Sequence, residues 1–300
     1  MEPVLTEAAR ADVATAAPSS ADSPASTTTA REKEQRLVAW LAARPSVILG
    51  FSGGVDSAYL ACVALDALGT ERFLAVIGRS PSYPDAQWDA ARGLAARVGI
   101  PVLEVTTHEM LDPRYVANPS NRCYFCKTEL WTVLRAVADE RGFHTIVDGT
   151  NADDTHDWRP GRQAAREHAV ESPLAELGFS KDEIRALSRA RGLPTWSQPS
   201  SPCLSSRLPY GSPVTIERLQ HVARAEAALR ALGVAGDLRV RHHGDLARVE
   251  LAADALDTWL AAPRLRALVR AVRDAGFARV SVDLAGFRSG SLNVLGAAGA

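Results

Sequence analysis

No stretch of the 300-residue chain approaches the roughly 18 consecutive apolar residues that a membrane-spanning helix needs, and the N-terminus lacks the basic head and apolar core of a secretory signal. Four cysteines are too few for a secreted disulfide scaffold in a chain this long. Neither sign of charge prevails: 34 Lys+Arg against 35 Asp+Glu give a net charge of −1, which argues against a broad nucleic-acid footprint. Lysine is scarce, represented by Lys33, Lys127 and Lys181, and genomic base composition accounts for the arginine excess. What is present is globular: 46% hydrophobic and 23% charged residues, with length for roughly two domains. These features describe a cytoplasmic protein that does not span a membrane.

Residues 1–30 are mostly Ala, Ser, Thr and Pro without hydrophobic periodicity, the composition of a disordered tail. From Arg31 the pattern is helical, with Leu37, Val38 and Leu41 on one face, and Ser46 to Phe51 reads as a buried strand. Helices over about 58–68, 85–98 and 127–141 then alternate with strands at 73–77, 102–105 and 144–147. That alternation predicts an α/β domain over 31–200, a Rossmann-like parallel sheet that binds ligands beyond the carboxyl ends of its strands. The Pro-, Ser- and Gly-dense segment Gly192–Pro213 is long enough to be functional. After it a helix at 215–232, strands at 237–241 and 247–251, a helix at 253–275 and a strand at 278–284 predict a smaller α+β domain over 201–300.

Ser52-Gly53-Gly54-Val55-Asp56-Ser57 lies between a buried strand and a helix, where glycines admit an anion to the backbone and helix-first N–H groups point at it. A bare Gly-Gly would suit a simple tight turn; the full six residues point to phosphate. The loop lacks the lysine of a P-loop, so the argument for a γ-phosphate cradle is missing. Ser52 and Ser57 supply hydroxyls, and Asp56 is a candidate for Mg²⁺. The motif resembles the PP-loop of the adenine-nucleotide α-hydrolase-like ATP pyrophosphatases, which cleave ATP to AMP and pyrophosphate while activating a carboxylate or carbonyl oxygen as an adenylate.

Cys123 and Cys126, in Asn-Arg-Cys-Tyr-Phe-Cys-Lys, stand one turn apart at an expected helix start, where the helix dipole favours thiolate; Cys203 lies in the long loop. Packed thiols, zinc completed by Cys62, His108, His144 or His156, and a four-iron cluster with one open iron all remain compatible with this set. Cys62, within Ala-Tyr-Leu-Ala-Cys-Val-Ala-Leu, reads as an inert core thiol.

Taken together, the loop at 52–57, Cys123 and Cys126, Asp148–Asp154 (DGTNADD), Pro202–Gly211 (PCLSSRLPYG) and Gly286–Asn293 (GFRSGSLN) resemble the LarE-type ATP-dependent sulfur transferases from about residue 31 to the end. The resemblance implies adenylation of pyridinium-3,5-biscarboxylic acid mononucleotide and conversion of its carboxylates to thiocarboxylates, a step toward the nickel-pincer nucleotide cofactor. In one branch of that family a single loop cysteine gives up its own sulfur; in the other three cysteines hold a [4Fe-4S] cluster that carries sulfide. Cys123, Cys126 and Cys203 put this chain on the cluster side. The resemblance further implies pyrophosphate over Ser52, Gly53, Gly54, Asp56 and Ser57, with adenine near Gly78 and Gly149. Partners would be a carboxylase upstream and a nickel insertase downstream, and ring-like homo-oligomers occur in the family.

Arg207 and Ser206 beside Cys203 suit a substrate phosphate, since a guanidinium fork matches phosphate oxygens. Asp153 and Asp154 suit Mg²⁺ or substrate as well as they suit a solvated acidic loop. Glu226, Arg239 and Arg241 are further substrate candidates, although Arg239 and Arg241 also fit a solvated strand face. His242 and His243 fit a hairpin tip, and Trp131 fits the core, with ring stacking as the alternative for Trp131 and Trp158. Competing readings are a PP-loop tRNA thiolase, an amide-forming synthetase that leaves the cysteines without a task, and an ATP-binding iron–sulfur scaffold without turnover.

Overall fold

The computed structural model describes residues 24–155, 160–199 and 202–288. Its first part is a five-stranded sheet, β1 (Val47–Gly50), β2 (Phe73–Arg79), β3 (Val102–Thr106), β4 (Thr145–Val147) and β5 (Val170–Glu171), all parallel and ordered β3-β2-β1-β4-β5. Successive side chains of a strand face opposite ways, and here both faces are covered. Val47 and Leu49 join a core with α1 (Pro24–Ala42), α2 (Val55–Arg72) and α3 (Asp85–Val98). Ile48 and Ile146 pack on the other side under Trp131 and Leu134 of α5 (Arg122–Arg141) and Ala164 of α6 (Pro160–Glu167). The strand order reverses between β1 and β4, which opens a crevice at their carboxyl ends.

Several boundaries differ from the sequence pattern. Helix α1 begins at Pro24, seven residues before Arg31, so the expected tail gives way to helix inside its last turns. Its core face is Leu37 and Leu41, an i,i+4 pair, each worth about 2 kcal/mol when fully buried; Val38 is exposed. Helix α5 begins at Arg122, so both cysteines of the pair lie in its first turns. The stretch after β4 holds α7 (Pro173–Glu176) and α8 (Lys181–Ala190), the latter opened by a capping box between Ser180 and Glu183. A short helix, α4 (Pro113–Val116), precedes the cysteine helix and starts at a proline capped by Asp112.

Beyond the long loop, α9 (Ile216–Ala231) and α11 (Ala262–Asp274) pack on a three-stranded sheet of β6 (Leu238–His243), β7 (Leu246–Leu251) and β8 (Arg279–Val282). Strands β6 and β7 are antiparallel, while β8 returns parallel to β7. The expected single helix at 253–275 is split: α10 (Leu256–Leu260) ends at extended Ala261, and Pro263 opens α11. Proline lacks the N–H that a continuous helix would require there. His242 and His243 belong to β6, paired with Ala247 and Leu246, which leaves Gly244-Asp245 as the turn. Tyr115, Leu204, Leu208 and Val214 share this second core, so the Cys203 loop is packed rather than free.

Candidate active site

The phosphate loop leaves β1 at the crevice. Gly53 holds φ 69°, and a Cβ built there would lie 2.5 Å from the Ala91 Cβ, so glycine is required twice over. Gly54 caps α2, the Ser52 and Ser57 hydroxyls meet at 3.1 Å, and Ser57 Oγ donates to the Gly54 carbonyl at 3.1 Å. Tyr83 Oη and Gln87 Nε2 both donate to the Ser52 carbonyl, at 2.8 and 3.1 Å. Gly149, just past β4, lets the chain pass so close that a Cβ would lie 3.0 Å from the Ser57 nitrogen. Gly78 ends β2 against Leu130, whose Cδ1 would lie 2.5 Å from an added Cβ. The expected ATP residues therefore line the ends of β1, β2 and β4.

A lysine approaches the loop from elsewhere in the chain. Lys181, the first residue of α8, places Nζ 2.5 Å from Asp56 Oδ2, and Asn151 Nδ2 donates to Asp56 Oδ1 at 3.4 Å. Asp153 accepts the Lys181 backbone N–H at 2.7 Å, and the Asp154 N–H donates to Asn151 Oδ1 at 3.1 Å. Asp153 and Asp154 thus build the scaffold that aims Lys181 and Asn151 at Asp56. Sequence reasoning missed Lys181; Ser180-x-x-Glu183 ahead of an apolar run was the signal for the helix that carries it.

The cysteines gather on the α5 side. Burial, then Glu109 and Cys203, push the Cys126 thiol far up, and packed protein with Cys203 raises Cys123, although its side chain is open to solvent on one side. Desolvation and like charge oppose the helix dipole at both thiols. The Arg122 charge acts against them at Cys123. Glu109 is 2% exposed; its Oε1 accepts the Ser82 hydroxyl at 3.2 Å, and its Oε2 has no partner among the described residues. Two of the zinc-completing candidates, Cys62 and His144, stand elsewhere. Cys62 lies in the α2 core, raised by burial to about 11, and His144 Nδ1 meets Ser46 Oγ at the opposite end of β1. The His108 backbone is held by Glu129, while His156, Trp158 and Ser289–Asn293 lie outside the described residues.

The long loop carries Cys203 into an arginine–glutamate cluster. Arg207 is 1% exposed and forks onto Glu226 at 2.9 and 3.0 Å, while its Nη1 donates to the Pro202 and Cys203 carbonyls and to Ser206 Oγ. Ser206 Oγ in turn donates to the Cys203 carbonyl at 2.7 Å. Arg241 donates to Glu250 at 2.8 and 3.0 Å and to the Ser206 carbonyl at 2.9 Å. Arg239 packs over the Phe287 ring at 4.9 Å, and burial with Arg207 pulls its pKa to about 10. Arg239 and Arg241 are therefore buried, at 5% and 6% exposure, and the solvated strand face is excluded. Trp131 is core, as expected.

Among the described residues no group of three or more His, Cys, Asp or Glu side chains is close enough to share one metal ion. The helix start that carries Cys123 and Cys126 nevertheless adjoins the Cys203 loop, since Arg122 Nη1 donates to the Ser205 carbonyl at 2.9 Å.

A parallel sheet with a PP-loop at its switch point defines an ATP-using enzyme of the PP-loop class. Residues 35–119 match the family described as NAD synthase. The chain is 46% identical over 246 residues to an uncharacterized protein of Synechocystis sp., covering 82% of this chain and 91% of that one. It is 36% identical over 262 residues to the pyridinium-3,5-bisthiocarboxylic acid mononucleotide synthase of Lactiplantibacillus plantarum, covering 87% of this chain and 94% of that one. An uncharacterized protein of Methanocaldococcus jannaschii is 27% identical over 81% of this chain and 91% of its own. The chain belongs to the LarE family of ATP-dependent sulfur transferases. No helix among the described residues is long and apolar enough to cross a membrane.

Proposed function

We propose that the chain adenylates the carboxylates of pyridinium-3,5-biscarboxylic acid mononucleotide, releasing pyrophosphate, and converts them to thiocarboxylates. The observation that carries this reading is the pairing, in one molecule, of a phosphate loop at the sheet switch point with Cys123 and Cys126 on a helix start that Arg122 joins by a hydrogen bond to the Cys203 loop. The N–H groups at the start of α2, the Ser52 and Ser57 hydroxyls and Lys181 stabilise the charge that grows on pyrophosphate, with Asp56 the candidate anchor for Mg²⁺. Attack of a substrate carboxylate on the α-phosphorus turns a poor leaving group, oxide, into AMP. The substrate's own phosphate belongs with Ser206, Arg207, Arg239 and Arg241, where burial strengthens each charge-assisted bond; Glu226 and Glu250 fix the guanidinium planes. Asp154 supports the ATP end through Asn151.

Cys123, Cys126 and Cys203 would hold a [4Fe-4S] cluster, which supplies an iron without a protein ligand as the site for transferable sulfide. Arg122 offsets part of the charge these thiolates bring. Carrying sulfide this way leaves the chain intact after turnover, ready for hand-over of product to a nickel insertase.

The test is pyrophosphate release by anaerobic protein given ATP, sulfide and the dicarboxylate mononucleotide, with the product mass read in parallel. Release dependent on that substrate, with one oxygen of each carboxylate replaced by sulfur and leaving with AMP, is the expected result. ATP binding without release points to a scaffold, and release driven by tRNA instead points to a thiolase.

A further inference from the structure

The segment ahead of the cysteine helix is laced to the loop that carries Cys203. Tyr115 Oη meets Ser205 Oγ at 2.7 Å, the Gly211 N–H donates to the Asn118 carbonyl at 2.8 Å, and the Val214 N–H donates to the Val116 carbonyl at 2.8 Å. Asn118 is fully buried with φ 54°, a left-handed conformation that costs a non-glycine residue strain. The strain is offset by what the side chain binds, since Nδ2 donates to the Pro209 and Ser212 carbonyls, each at 2.8 Å. Arg122 closes the lacing. It is 3% exposed, and Nη1 donates to Asn118 Oδ1 at 2.5 Å and to the Ser205 carbonyl at 2.9 Å.

Burying a guanidinium is expensive unless polar groups surround it. Burial disfavours the Arg122 charge, and Cys203, Cys123, Tyr115 and Tyr210 act in the opposite direction. We propose that Arg122 is a positioning residue for sulfur delivery, pinning the Cys203 loop to the first turn of α5 and fixing a positive charge beside Cys123 and Cys203. The rigid guanidinium is what holds two carbonyl-type oxygens in one fixed geometry; a lysine ammonium is a point charge on a flexible stem and does not fix them in the same way. The proposal rests on the sulfur-transfer reading above and deepens it.

The experiment compares wild type, Arg122→Met and Arg122→Lys by two readouts on the full chain. Hydrogen exchange of the loop amides Leu204, Ser206, Leu208 and Gly211 reports the pinning. The ratio of thiocarboxylate formed to pyrophosphate released reports delivery. In Arg122→Met the loop amides exchange roughly ten- to a hundredfold faster, because two buried acceptors lose their donor, and the product ratio falls about tenfold. In Arg122→Lys loop exchange stays fast while part of the ratio returns, since charge is kept and lacing is lost. Loop exchange in Arg122→Met equal to wild type overturns the pinning. A product ratio unchanged in Arg122→Met overturns the delivery role. Wild-type protein that releases pyrophosphate yet makes no thiocarboxylate overturns the sulfur-transfer reading itself, and the delivery role with it.

Discussion

The two ends of this site are held by different physics. The proposed ATP end is one contiguous hexapeptide of helix-start N–H groups, two hydroxyls and glycines that keep the chain close. At the sulfur end no contiguous motif exists. Cys123 and Cys126 come from a helix start, Cys203 from a packed loop, and Arg239 and Arg241 from a strand of a separate sheet, with buried Arg207–Glu226 and Arg241–Glu250 pairs beside the loop. Backbone anion sites need glycine and tolerate water, whereas buried arginine clusters need every partner present. The first should fail by distortion and the second by unpaired charge.

The largest expected effect lies at the sulfur end. Arg207→Met strands Glu226, whose two oxygens lose their fork, and should cost about 3–5 kcal/mol in urea unfolding. Adding Glu226→Met should restore much of that loss, which a simple packing defect would not allow. At the ATP end Gly53→Ala drives a Cβ into Ala91 at positive φ; pyrophosphate release should fall about a hundredfold, with the Cys203 loop's hydrogen exchange unaltered. Lys181→Met should raise the KM for ATP about tenfold, the worth of one charged hydrogen bond, while substitution of Lys33, which pairs with Glu183, should not.

The smallest effect separates the ends by pH. His242 is buried against His221 and Phe277, with its ring stacked on His221 at 5.8 Å. Burial, then Arg218, His221 and His243, lowers its pKa from 6.5 to about 4. The fold favours the neutral ring, so as pH falls below 6.5 the unfolded chain takes the proton first, and the penalty is complete below about 4. Acid should therefore loosen the three-stranded region before the parallel sheet. His242→Leu should flatten that slope by on the order of 1–2 kcal/mol, read from unfolding midpoints between those pH values.

The same contrast explains what could be read from the chain alone. The hexapeptide between an apolar strand and a helix announces the phosphate site and, through alternation, the parallel sheet. The arginine cluster was visible only as residue types: nothing in the spacing of Arg239 and Arg241 says that Glu250 and Ser206 bury them. Lys181 and Arg122 escaped notice because each acts across more than 80 residues of sequence, on Asp56 and on Ser205. Propensity could not show that α1 starts at Pro24 or that Pro263 divides the last helical stretch.

The central claim is that three cysteines at the sulfur end carry a cluster beside an ATP site of another kind. Iron and acid-labile sulfide per chain, measured on protein purified without oxygen and compared with Cys126→Ala, test it most directly. The account predicts about four of each in wild type and loss of both in the variant. Protein that stays free of iron after reconstitution, while Cys203 loses its sulfur during turnover, would contradict it.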